Sequence, residues 1–145
     1  MGNYDFRLQN VLDFKSSMQT QMVSKYNDAK KILEKAENVL IDYNILKKKI
    51  ENEKNNLSMS GRIKDLKLYN QYINQIKFQI EEQKNHIKEA EINVELAKEN
   101  LVEAAKDKKI FEKLKENEFN KYLDKEKKKE AIIVDEIVTY INSNN

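Results

Sequence analysis

A chain that transforms a substrate needs a nucleophile beside a base, a set of metal ligands, or a cradle for phosphate. This sequence offers one histidine, His86, no cysteine and two glycines in 145 residues. Its 25 Asp and Glu residues are spread along the chain and converge on no pocket. His86 reads as a surface residue of a helix. No nucleophile with a base and no metal-ligand spacing is present, so the sequence reads as that of a non-enzyme, without cofactor or metal. What remains is the chemistry of recognition. The stretch LYNQYINQIKFQI, Leu68 to Ile80, places Leu68, Tyr72 and Phe78 among Lys, Glu and Asn. A second candidate is the basic tract Lys125 to Lys129. Asp124, Glu126 and Glu130 alternate with it and no aromatic residue is interleaved, so it reads as a solvated face and not as a nucleic-acid or lipid site.

The elements that must position these residues follow from composition. The chain is 36% charged and has no Pro and no Trp. Without the usual turn formers, long helices are the natural outcome. No apolar run approaches the ~20 residues of a membrane span, and the start, MGNYDFRLQN, is not a signal peptide. Phe6 stands where a myristoylation motif has Ser or Thr. With no cysteine and a net charge of +2, a reducing cytoplasm is expected, and no nucleic-acid footprint.

From Tyr4 the apolar residues recur at alternating steps of three and four. The series takes in Leu8, Val11, Met18, Met22, Ala29, Ile32, Ala36, Val39, Tyr43, Leu46, Ile50 and Leu57, broken at Lys15, Lys25 and Glu53. A second series runs from Leu66 through Tyr69, Ile73, Ile76, Ile80, Gln83, Ile87, Ala90, Val94, Ala97 and Leu101 to Ala104. Sustained heptads of this kind mark a coiled coil. Between them NNLSMSGR contains Gly61, with Ser58 and Ser60 as cap candidates. The spacing predicts a single all-α domain over 1–145: helix 1 about 4–56, a turn about 57–61, and helix 2 about 62–141. The two long helices form an antiparallel coiled-coil hairpin, the second helix longer. Pairing positions whose numbers sum to 119 aligns the layers, setting Ile50 opposite Tyr69, Leu46 opposite Ile73, and Ala36 opposite Gln83.

In this register Ile73, Ile76 and Ile80 lie in the seam, whereas Leu68, Tyr72 and Phe78 point away from it and form a partner-binding patch. Leu12, Tyr26, Leu33 and Leu40 flank the first seam and widen its apolar face. Residues 116–145 overhang the first helix, leaving Phe119, Tyr122, Leu123, Ile133, Ile137 and Ile141 with nothing opposite. That overhang is expected to be mobile alone and ordered by a partner.

The order of these pieces resembles the flagellar export stalk family FliJ. The resemblance is carried by Phe6-Arg7-Leu8-Gln9 with Val11-Leu12-Asp13 and Lys15, by Tyr69, Gln71, Tyr72, Ile73, Gln75 and Ile76, and by Glu112-Lys113-Leu114-Lys115-Glu116. Further on, Lys129-Glu130 and Asp135-Glu136 fit the same pattern. It implies a cytoplasmic protein, peripheral to the membrane at the flagellar base. Such a protein links the ring of the export ATPase to the cytoplasmic domain of the membrane export gate and assists export chaperones. Protein transport for flagellar assembly, and through it motility and chemotaxis, would be the biological setting. Carried over to this chain, the gate contact falls on Tyr72 and Ile76, joining Leu68 and Phe78. Gln79 and Gln83 depart from family residues there. The ATPase or chaperone contact is expected on Phe119, Tyr122, Leu123, Ile133, Ile137 and Ile141. The alternative is a general holdase chaperone of prefoldin type, which requires β-strands at the hairpin.

Overall fold

A computed structural model describes residues 4–60 and 63–144, without the side chains of residues 58–60. Two helices account for nearly all of it: α1, Gln9–Ser60, and α2, Ile63–Ser143. Among the described residues there is no strand. The fold is all-α, an antiparallel helical hairpin with the longer helix second. The turn expected at about 57–61 is corrected over 57–60, where α1 continues as helix to Ser60; Gly61 and the side chains of the cap candidates Ser58 and Ser60 lie outside what is described. Neither helix ends in a basic residue, and α1 begins without an acidic one. Only Asp65, in the first turn of α2, complements the macrodipole, so packing must hold the helices.

The first helix starts at Gln9, later than the expected start near Tyr4. Phe6 is the cause. Its side chain is buried, with 5% exposure, and its carbonyl accepts the Gln9 amide hydrogen at 3.0 Å, closing a turn. Burying Phe6 takes the preceding residues off the helical path, so Tyr4–Phe6 run as a non-helical segment.

The chain divides into two compact units. In the unit Met22–Leu101, α2 buries Ile73, Ile76, Ile80 and Ala90. The side-chain amide of Gln83 donates to the Ala36 carbonyl at 2.9 Å, the layer that the register pairs. This second donor to a carbonyl is what lets a glutamine sit in a seam position without an unsatisfied polar group. Tyr69 donates to Glu53 at 3.3 Å rather than packing on Ile50 alone, because long side chains lean toward their own helix N-terminus and so reach past the opposite layer.

The seam of α1 keeps Val11, Met18 and Val39 half-buried, as expected, but departs from the expectation at 25, 32, 46 and 53. Ile32 and Leu46, expected in the seam, are exposed, whereas Tyr26, Leu33 and Leu40 are half-buried and Leu12, in the other unit, is buried. The stripe expected to flank the seam is part of it. Positions 8, 15, 22, 29, 36, 43, 50 and 57 belong to both readings; after 22, 29, 43 and 50 the structure takes a step of four where apolar counting favoured three, and after 8, 15 and 36 both steps reach covered residues. The step of four brings four large side chains inward, and Lys47 and Lys54 are half-buried beside them, their aliphatic stems covering the seam while the ammonium groups stay wet.

In the unit formed by Met1–Gln21 and Val102–Asn145, the non-helical segment packs on α2. The Tyr4 ring centroid lies 5.2 Å from that of Phe119 and 5.3 Å from that of Tyr122. Arg7 pairs with Glu118 at 3.1 Å, Lys15 with Asp107 at 3.8 Å, and Lys115 donates to Gln9 Oε1 at 2.7 Å. Phe119 and Tyr122 are therefore not unpaired, contrary to the reading of 116–145 as an overhang without opposing residues. The segment before α1, not counted as reaching that far, covers them.

Candidate partner-binding surfaces

A groove of about 480 Å³ lies between the helices in the Met22–Leu101 unit. Ile50, Glu53 and Leu57 of α1 and Asp65, Leu68, Tyr69 and Tyr72 of α2 line it. Heptad geometry builds it. Ile50, Leu57 and Tyr69 are seam residues that form its floor, while Leu68 and Tyr72, one helical turn apart, stand at the rim, both half exposed at 51%. Burial, and then the neighbouring carboxylates of Glu53 and Asp65, push the Tyr69 phenol above its ordinary pKa.

The other candidates here separate into two kinds. Phe78, 64% exposed, is not among the residues lining the groove, so it is an isolated apolar side chain and not a wall of the same site. Ile76 is buried, with 5% exposure. A side chain so enclosed lies beneath the surface of the hairpin. Glu53 and Asp65 were missed from sequence because neither lies in the apolar pattern that singled out Leu68 and Tyr72. Their signal was the register: Glu53 sits one turn from Ile50, the position opposite Tyr69, and Asp65 one turn before Tyr69 on its own helix.

In the other unit the aromatic cluster of Tyr4, Phe119 and Tyr122 borders a smaller cavity of about 290 Å³, rimmed by Arg7, Glu118, Lys121 and Lys125. The Tyr4 hydroxyl oxygen is buried and lacks a hydrogen-bond partner among the described residues. Burial and the nearby Glu118 carboxylate raise its pKa, opposed by Arg7. Leu123 is half-buried. From 127 to 144 every residue of α2 is exposed, including Ile133 at 54%, Ile137 at 53% and Ile141 at 52%. Ile133, Ile137, Tyr140 and Ile141 recur at helical spacing with Val134 and Val138 beside them, and Asp135, Glu136, Thr139 and Ser143 fall on the other side. This is an amphipathic helix whose apolar face is uncovered. Ile110, 63% exposed among Lys106, Lys109 and Lys113, is a further apolar point that the heptad reading passed over.

His86 is exposed, and among the described residues no three potential metal ligands cluster. No helix among them is long and apolar enough to cross a membrane. Comparison with known proteins gives one match, to a family model described as Flagellar FliJ protein, over residues 4–145. No curated protein and no solved structure matches the chain.

Proposed function

Since the chain belongs to the flagellar FliJ protein family, whose members are non-catalytic components of flagellar protein export, we propose that it is a stalk and adaptor of that apparatus. In this reading it joins the ring of the export ATPase to the cytoplasmic domain of the export gate and assists delivery of chaperone-bound substrates. Its place is the cytoplasm, at the membrane beneath the flagellum.

The observation that carries the reading is the groove with Tyr72 and Leu68 at its rim. A half-exposed aromatic residue beside a cavity is the form that binding hot spots take, and a helix pair has no third layer that would bury it otherwise. The gate docks there, with Tyr72 and Leu68 in contact and Ile76 holding the helix surface in place. The uncovered face of Ile133, Ile137 and Ile141 supports a second contact, to the ATPase ring or an export chaperone; Phe119, Tyr122 and Leu123 extend it only where the Tyr4 segment leaves them accessible.

A prefoldin-type holdase fits less well. Such a chaperone needs strands between its helices, whereas here α1 runs to Ser60 and α2 resumes at Ile63. Calorimetric titration of the purified chain with the gate's cytoplasmic domain, and separately with the export ATPase, tests the proposal. Saturable binding to both is expected. Binding to neither, together with suppression of aggregation of an unrelated unfolded protein, would favour the holdase.

A further inference from the structure

We propose that the groove around Tyr69 and Tyr72 receives a basic side chain, best met by an arginine, from the partner segment that docks on it. The inference rests on the reading of this groove as the gate-binding surface and adds the chemistry of what enters it.

Two carboxylates line the groove, Glu53 from α1 and Asp65 from α2, and among the described residues no basic side chain does. Among the described residues neither carboxylate belongs to an ion pair, although the chain has 27 Lys and Arg residues available. The hydrogen bond that Glu53 accepts comes from a neutral donor, the Tyr69 hydroxyl. Both negative charges act on the same tyrosine, whose phenol they help to raise. The charged side chains that line the groove among the described residues are thus both acidic.

This charge state selects the occupant. A purely apolar segment seated here would strip water from two carboxylates and give them nothing in return. An acidic segment would add repulsion. A guanidinium satisfies each demand at once: its planar face stacks on a tyrosine ring, its forked N–H groups match a carboxylate, and it is weakly hydrated for a cation. The apolar rim at Leu68 and the space of about 480 Å³ accommodate the stem that carries it.

The full chain titrated with the purified cytoplasmic domain of the gate, at several salt concentrations, tests this. Glu53→Gln keeps an acceptor for Tyr69 and removes only the charge; Asp65→Asn does the same on α2. Each should weaken binding roughly three- to tenfold and flatten its dependence on salt. Glu82→Gln, on α2 but outside the groove, should change neither. Asp65→Lys should abolish binding while the chain stays helical by circular dichroism, with its melting temperature lowered slightly because the charge at the α2 N-terminus is reversed. Suppose Tyr72→Ala weakens binding while Glu53→Gln and Asp65→Asn alter neither affinity nor salt dependence. The groove then docks the gate through apolar contact alone, and the inference is overturned. Binding that ignores Tyr72 as well overturns the underlying docking site too.

Discussion

Truncating Ile76 and Tyr72 to alanine separates support from contact, because the two residues lie a turn apart on one helix and differ in exposure, 5% against 51%. Ile76→Ala deletes three buried carbons, at about 0.8 kcal/mol each, or about 2.5 kcal/mol from transfer alone. Incomplete collapse around the gap places the full cost at about 2–5 kcal/mol, with the lower half favoured in a helix pair whose cavities open to solvent. Tyr72→Ala removes a side chain already half in water and should cost about 1 kcal/mol or less. On binding the order reverses. An interface tyrosine contributes about 2 kcal/mol, roughly thirtyfold in Kd, while Ile76→Ala, under conditions where the variant remains folded, should weaken gate binding only slightly. Urea unfolding followed by circular dichroism supplies the first comparison and calorimetry with the gate domain the second. Equal destabilisation by both variants would place Tyr72 in the seam and refute the division of roles. Wild-type stability of Ile76→Ala would show that the Ile73–Ile80 seam does not hold this unit together.

Three further outcomes are expected. Gln83→Leu exchanges a seam amide for an apolar side chain; the Ala36 carbonyl keeps its helical hydrogen bond, so stability should be unchanged or rise by up to about 1 kcal/mol in the same unfolding assay. Tyr4 and Tyr69, whose phenols are raised in the folded chain, contribute stability that is complete below the ordinary tyrosine pKa and is lost as pH climbs through their folded values. Ultraviolet titration should show two of the seven tyrosines ionising late, and Tyr4→Phe and Tyr69→Phe should each remove one of them. The exposed end of α2, from residue 127 on, should exchange its amide hydrogens quickly in the isolated chain and slow when the export ATPase or an export chaperone is added; slow exchange without a partner would mean that the chain associates with itself through this face.

The helices and their pairing were legible because a heptad pattern repeats over many turns, and each repeat adds independent evidence for the same answer. Gln83 opposite Ala36 shows how far that reach extended. The choice between Leu33 and Ile32, or Lys47 and Leu46, was not legible. Both sets of positions keep the alternation of three and four, and counting apolar residues ignores the aliphatic stem of a lysine. The segment before α1 escaped for a different reason: Tyr4 fits the helical period, Phe6 lies outside it, and only tertiary burial of Phe6 draws the segment off the helix. At the groove, the apolar outlier Tyr72 could be read directly, whereas Glu53 and Asp65 matter only through Tyr69, which Glu53 meets across the seam and Asp65 precedes by one turn on the same helix.

Photo-crosslinking in motile cells tests the central claim most directly, by placing a short-range photoreactive residue at position 72. The account expects a crosslink to the cytoplasmic domain of the export gate, lost when the probe is moved to the buried position 76. Efficient crosslinking from position 72 to other proteins, with none to the gate in cells that assemble flagella, would contradict it.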